Sequence, residues 1–197
     1  MKKSLFAGAL GALLLFSAGA SAETAVKAGT YKVEPRHSQI VFSVSHFGLS
    51  HFDGMVAGAS GALTLDPANP SASKLDVSVA TATIYTPVAA LTHELQGAEW
   101  LDAGKYPKAR FVSTKVTRTG PEAATIEGEL TLRGVTKPLT LKAHFVGAGV
   151  NPIDKAYTVG FVGYGVIKRT EFGVSKYAPA IGDKVHVTIN AAFELRK

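Results

Sequence analysis

Val185-His186-Val187-Thr188-Ile189-Asn190-Ala191-Ala192-Phe193 alternates apolar and polar side chains along most of its length. A period of two places Val185, Val187, Ile189, Ala191 and Phe193 on one face of a strand, opposite His186, Thr188 and Asn190. The same alternation recurs upstream. Ile40, Phe42, Val44 and His46 share one face of Ser38–Phe47. Leu75, Val77 and Val79 alternate with Asp76 and Ser78. Ile126, Leu130 and Leu132 alternate with Glu127, Glu129 and Thr131. Leu139, Leu141, Ala143 and Phe145 alternate with Thr140, Lys142 and His144, while Tyr157, Val159, Phe161 and Ile167 share a parity. Gly54–Leu65 is strand-like but rich in glycine and alanine. Turn signals separate these runs at Asp66–Pro70, Thr119–Pro121, Arg133-Gly134 and Asn151–Asp154.

Eight or so strands with one apolar face each must bury that face, and closing the sheet does so while removing unpaired edges. The pattern predicts an all-β fold, an antiparallel barrel or a two-sheet sandwich. One segment has helical spacing: Leu91, Leu95, Ala98 and Leu101 within Pro87–Asp102, with Pro87 placed for a first turn and Gly104 beyond the end. Gly163 and Gly165 have the inward parity but carry no side chain. They either leave a hollow wide enough for a small guest or mark bulges that curve the strand.

The ends of the chain set its class. Lys2 and Lys3 precede an uncharged apolar run, Leu5–Phe16, and Ala20-Ser21-Ala22 has the small-x-small pattern of a cleavage site. Residues 1–22 therefore read as an export signal cut between Ala22 and Glu23, with the periplasm as destination. Removing them from the 197 residues leaves 175, 23–197, enough for one domain with a sizeable core. The formal charge of +6 falls by the two signal lysines to +4. That excess is mild, no basic cluster suits a nucleic acid, and no later stretch would cross a membrane as a helix. With no cysteine, neither disulfides nor thiolate chemistry are available.

Catalytic patterns are missing. No Gly-x-Ser-x-Gly elbow or phosphate loop occurs, and His93-Glu94 lacks the second histidine of a helical zinc motif. His37 and Ser38, as strand neighbours, point to opposite faces. His37, His46 and His51 are not spaced to meet on one metal. His144 and His186 alternate away from apolar neighbours. His46 stands out because it shares the inward face of Ile40, Phe42 and Val44. Arg169 continues the parity of Val159, Phe161 and Ile167, and a guanidinium there needs a partner. A carboxylate such as Glu171 or Asp183 is the structural choice, and an anionic or polar ligand head at the mouth is the functional one. Trp100 and Tyr106 either order the helix over one end or belong to the core.

Three blocks carry a family likeness: Tyr31-Lys-Val-Glu-Pro-Arg-His-Ser-Gln-Ile-Val-Phe42 running on to His46-Phe-Gly-Leu-Ser50; Leu95–Phe111 with Glu99-Trp-Leu-Asp102 and Lys105-Tyr-Pro107; and Gly128-Glu-Leu-Thr-Leu-Arg-Gly-Val-Thr-Lys-Pro138, followed by Arg169-Thr-Glu-Phe-Gly173. In their order and spacing the chain resembles the YceI-like family of periplasmic lipid- or polyisoprenoid-binding proteins over roughly Tyr31–Glu194. The resemblance implies an extended lipocalin-like, eight-stranded antiparallel barrel with one inserted helix. It also implies an apolar tunnel for an isoprenoid or fatty chain, and no enzymatic activity. Two departures stand out: Glu34 where the family usually has aspartate, and Thr92-His93-Glu94-Leu95 in place of an Asp-x-His-Leu run.

The resulting expectation is a periplasmic carrier that holds a long-chain amphiphile, without cofactor, metal or catalytic residue. Strand parity assigns the ligand-binding wall to Ile40, Phe42, Val44, His46, Val159, Phe161, Ile167 and Arg169. The alternatives are a small outer-membrane barrel and a lipid-modifying enzyme with His46 as base.

Overall fold

A computed structural model describes residues 25–196. The expected signal segment and its cleavage site lie outside them. Eleven strands form one continuous antiparallel sheet: β1 (Gly29–Val33), β2 (Gln39–His46), β3 (Ser50–Val56), β4 (Ser60–Leu65), β5 (Lys74–Ala80), β6 (Ile84–Tyr85), β7 (Lys108–Arg118), β8 (Ala123–Leu132), β9 (Val135–Val150), β10 (Tyr157–Lys168) and β11 (Ile181–Leu195). Eight of them close a barrel in the order β1-β4-β5-β7-β8-β9-β10-β11, with β1 returning to β11. The remaining three, β2-β3-β6, extend the wall from the other half of β11.

β11 is the shared spine. Its last residues pair with β1 (Tyr31↔Leu195, Val33↔Phe193), and its earlier part pairs with β2 (Ile189↔Ile40, Val187↔Phe42). The chain bends between the two partners, and the bend is pinned by polar groups. Ser38 Oγ accepts from the Ala192 amide at 3.0 Å, and the Glu34 amide donates to the Ala192 carbonyl at 2.9 Å. The buried Glu34 carboxylate accepts the Arg36 and His37 amides at 3.0 and 2.8 Å and meets His37 Nδ1 at 2.6 Å. Burial alone would push this carboxyl up. The hydrogen bonds from Arg36 and His37 outweigh it and hold the carboxyl below its ordinary value.

Two elements differ from expectation. Gly54–Leu65 is two strands, because the chain leaves the sheet at Ala57–Ala59 to change partners from β2 to β1. The helix α1 is shorter than Pro87–Asp102, spanning Ala89–Gln96. Gly97 ends it, and the next residues turn back on the last carbonyls, Leu101 N–H reaching Leu95 O at 3.1 Å and Asp102 N–H reaching Gly97 O at 2.8 Å. Leu101 keeps its apolar contact through this compact turn.

Three apolar clusters follow from the alternation. Tyr31, Val33, Leu63, Val159 and Phe193 pack together where β1 closes the ring. Phe111, Leu130, Leu141 and Phe172 belong to the middle. Ile84, Leu95, Trp100 and Val174 pack α1 over the far end. The outward positions of the strands carry residues such as Lys115, Thr117, Lys142 and His144, the inverse of a barrel whose apolar face meets lipid. Among the described residues no helix is long and apolar enough to cross a membrane.

Candidate ligand-binding site

The barrel encloses a cavity of about 1300 Å³. This exceeds the roughly 300–1,000 Å³ common for small-molecule pockets. Its lining reaches from His46, Phe47 and Tyr177 at one rim to Pro67, Pro121 and Glu122 at the other, so it follows the length of the barrel. The side chains between are almost wholly aliphatic or aromatic.

The alternation explains the wall. Ile40, Phe42, Val44 and His46 on β2, and Phe161 and Ile167 on β10, all line the cavity, as does Arg169 just past β10. Val159 departs from this set. It is fully buried in one cluster with Tyr31, Val33, Leu63 and Phe193; Val33, Leu63 and Phe193 reach the cavity and Val159 does not. Parity put it on the right face, and its neighbours cover it from the lumen. Phe111, Leu130 and Leu141 from the middle of the sheet complete the wall, and Trp100, Val174 and Tyr177 roof it. Trp100 combines the two roles open to it: it is core to the α1 cluster and borders the cavity.

The glycines do not all act alike. Gly163 lines the cavity, and a Cβ there would sit 3.5 Å from Ile189 Cβ, an ordinary contact facing open volume. Gly165 makes room for a neighbour, since a Cβ would lie 2.7 Å from Leu141 Cδ2. Gly54 faces the ring of its cross-strand partner Phe42 in the same way. Gly160 adjoins a break in the β9–β10 register, the bulge alternative.

Arg169 hydrogen-bonds neither Glu171 nor Asp183, the carboxylates expected for it. Its guanidinium is buried and donates to four backbone carbonyls: Nε to Gly182 at 2.9 Å, Nη1 to Val174 at 2.7 Å and Lys176 at 3.0 Å, and Nη2 to Ile181 at 2.7 Å. Asp183 instead accepts the Thr170 amide at 2.9 Å and acts on Arg169 only through its charge. Burial pulls the guanidinium pKa below its ordinary value, with Asp183 opposing. The Trp100 ring lies 5.5 Å from the guanidinium carbon. Arg169 therefore ties down the loop Val174–Gly182 that roofs the cavity, and nearly all of its donors are occupied in doing so.

A second tie joins this loop to α1. Lys176 Nζ meets Glu99 at 2.6 Å and Glu94 at 3.1 Å, and Glu94 also accepts Trp100 Nε1 at 3.1 Å. Bonds from Lys176 and Trp100 hold the Glu94 carboxyl below its ordinary value, and its two carboxylates raise the Lys176 pKa. His46 stands exposed at the rim with its ring against Phe47 at 4.2 Å. Hydrogen bonds among the described residues include none to that ring, so nothing orients it as a base.

Comparison with known proteins places this geometry. The family profile of the YceI-like domain matches residues 31–193. A UPF0312 protein of Pseudomonas savastanoi pv. phaseolicola is 38% identical over 179 residues, which cover 91% of each chain. Among solved structures, BcnA of Burkholderia cenocepacia superposes with a TM-score of 0.73 at 22% identity, over 81% of this chain and 98% of its own. A polyisoprenoid binding domain of Saccharophagus degradans superposes with a TM-score of 0.64 at 11% identity, over 86% and 100%.

Proposed function

The chain belongs to the YceI-like domain family, and from that premise we propose that it is a periplasmic carrier for a long-chain amphiphile, an isoprenoid or fatty lipid, held in the barrel. The observation that carries this reading is the apolar cavity of about 1300 Å³ running from rim to rim. A hydrocarbon chain gains about 0.8 kcal/mol for each buried CH₂, so such a wall needs no catalytic or ionic group to bind tightly. The shared fold with a polyisoprenoid binding domain supports a prenyl chain as one such guest. The protein binds and releases its guest without transforming it; His46, lacking an orienting partner, has no part in chemistry. Residues 1–22 direct export and are removed before Glu23, which the mass of the purified secreted protein checks directly.

Extraction of the natively purified protein, followed by mass spectrometry, tests the reading. About one lipid per chain is expected. A cavity-filling Gly163→Phe variant, whose Cβ fits beside Ile189, should keep the fold and lose most of that lipid. Recovery of no lipid, together with failure to take up added long-chain amphiphiles, would refute the proposal.

A further inference from the structure

One rim of the cavity carries exposed apolar side chains that run on into its lumen. The β2–β3 hairpin turns at Phe47-Gly48, and the loop after β10 passes Tyr177-Ala178-Pro179-Ala180. The two are joined by the Phe47 amide donating to Ala180 O at 2.8 Å. Leu49 is 89% exposed, Phe47 56% and Tyr177 58%. Phe47, Tyr177, Ala178 and Ala180 line the cavity as well, so one apolar strip runs from solvent into the bore. Both aromatic residues hold left-handed backbone, φ +56° at Phe47 and +58° at Tyr177, where tight turns ordinarily take Asn or Gly. Turn geometry alone does not call for an aromatic residue at either place. Lys176, the one lysine of this rim, is paired with Glu94 and Glu99, so the strip itself is apolar and carries no free charge of its own.

From these observations we infer that this rim docks on a phospholipid bilayer surface, so that a lipid tail passes between bilayer and cavity without crossing water. Amphipathic aromatic side chains favour the membrane interface, and Leu49 and Phe47 add apolar area that gains by leaving water. The strip is continuous with the bore, which a patch serving another protein would not require. The opposite hairpin provides the contrast. Ile153 is also 89% exposed, but it sits between Pro152 and Asp154, its turn is closed by polar bonds from Asn151 and Asp154, and it does not reach the cavity.

The inference rests on the lipid-carrier reading, and its test separates the two. Flotation of the purified protein with vesicles of phosphatidylglycerol and phosphatidylethanolamine compares wild type, Leu49→Asp and Ile153→Asp. All three are purified after export, without residues 1–22, so differences among them report the two tips. Wild type and Ile153→Asp should float alike, and Leu49→Asp about tenfold less, the loss expected for one leucine kept out of the interface. Leu49 is not on the cavity wall, so uptake of a pyrene-labelled fatty acid in solution should be the same in all three. Equal flotation of wild type and Leu49→Asp, or no flotation of wild type, overturns the docking, as does a wild-type dimer that Leu49→Asp dissociates. If wild type floats in a Leu49-dependent way but takes up no fatty acid in solution, the docking stands and the carrier reading fails.

Discussion

Where β1 closes the ring, Tyr31, Val33, Leu63, Val159 and Phe193 pack against one another inside an unbroken strand ladder. At the far end the roof is α1 and the loop Val174–Gly182, held to the wall by side chains: Arg169 on four carbonyls, Lys176 on Glu94 and Glu99, and Arg133 on the Gly173 and Ala98 carbonyls at 3.0 and 2.8 Å. The first end is fixed by dispersion and burial, which a polypeptide cannot release in part. The second is fixed by discrete polar ties, which are individually weak and can open one at a time. A container that must fill and empty needs both a seam that holds and ties that can open.

Experiments can break or sharpen this contrast. The largest effect should come from the cluster where β1 closes the ring. Phe193→Ala removes a buried ring from it and should cost about 3–5 kcal/mol in urea unfolding, with all probes moving together. A smaller and more local cost is expected for Arg169→Met, which leaves four carbonyls without donors. About 2–3 kcal/mol is anticipated, with hydrogen exchange accelerating first in Val174–Gly182. Lysine should not rescue it, since one ammonium cannot reproduce the guanidinium fork. Affinity for charged and neutral chains should fall by the same factor; a selective loss for anionic lipids would restore a head-group role to Arg169.

Smaller still, Lys176→Met should leave global stability nearly unchanged while speeding release of a bound chain a few-fold, read from the single tryptophan, Trp100, beneath the tie. The pH dependence should be the mildest. Because Glu94 is held below its ordinary 4.5, its contribution is complete above that value and is lost as the pH falls through the depressed one. Release should therefore quicken only under acid conditions below 4.5, and Lys176→Met should flatten that response.

Much of the barrel was legible because a strand with one buried face must alternate. Ile40, Phe42, Val44, Phe161 and Ile167 were placed on the cavity wall on that ground alone. Alternation is silent about what covers a side chain, so Val159 looked the same as Phe161 although only the second reaches the lumen. It is silent too where side chains lack contrast, which hid the change of partners at Ala57–Ala59. The fate of Arg169 was illegible for another reason. Its partners are carbonyls of a loop, and every residue offers the same carbonyl whatever its side chain. Helical spacing through Leu101 overran the end of α1 because a compact turn presented the same apolar side to the core.

Gly165, on the inner face of β10, is where Leu141 tucks its terminal methyl. An alanine there would lift that methyl toward the lumen, narrowing the passage from a position that contributes no side chain to it. The gauge of the bore, and with it the thickness of hydrocarbon it admits, is thus partly set by hydrogens. Two proteins with identical lining side chains could differ in the branching of the chains they accept because of one methyl group behind the wall.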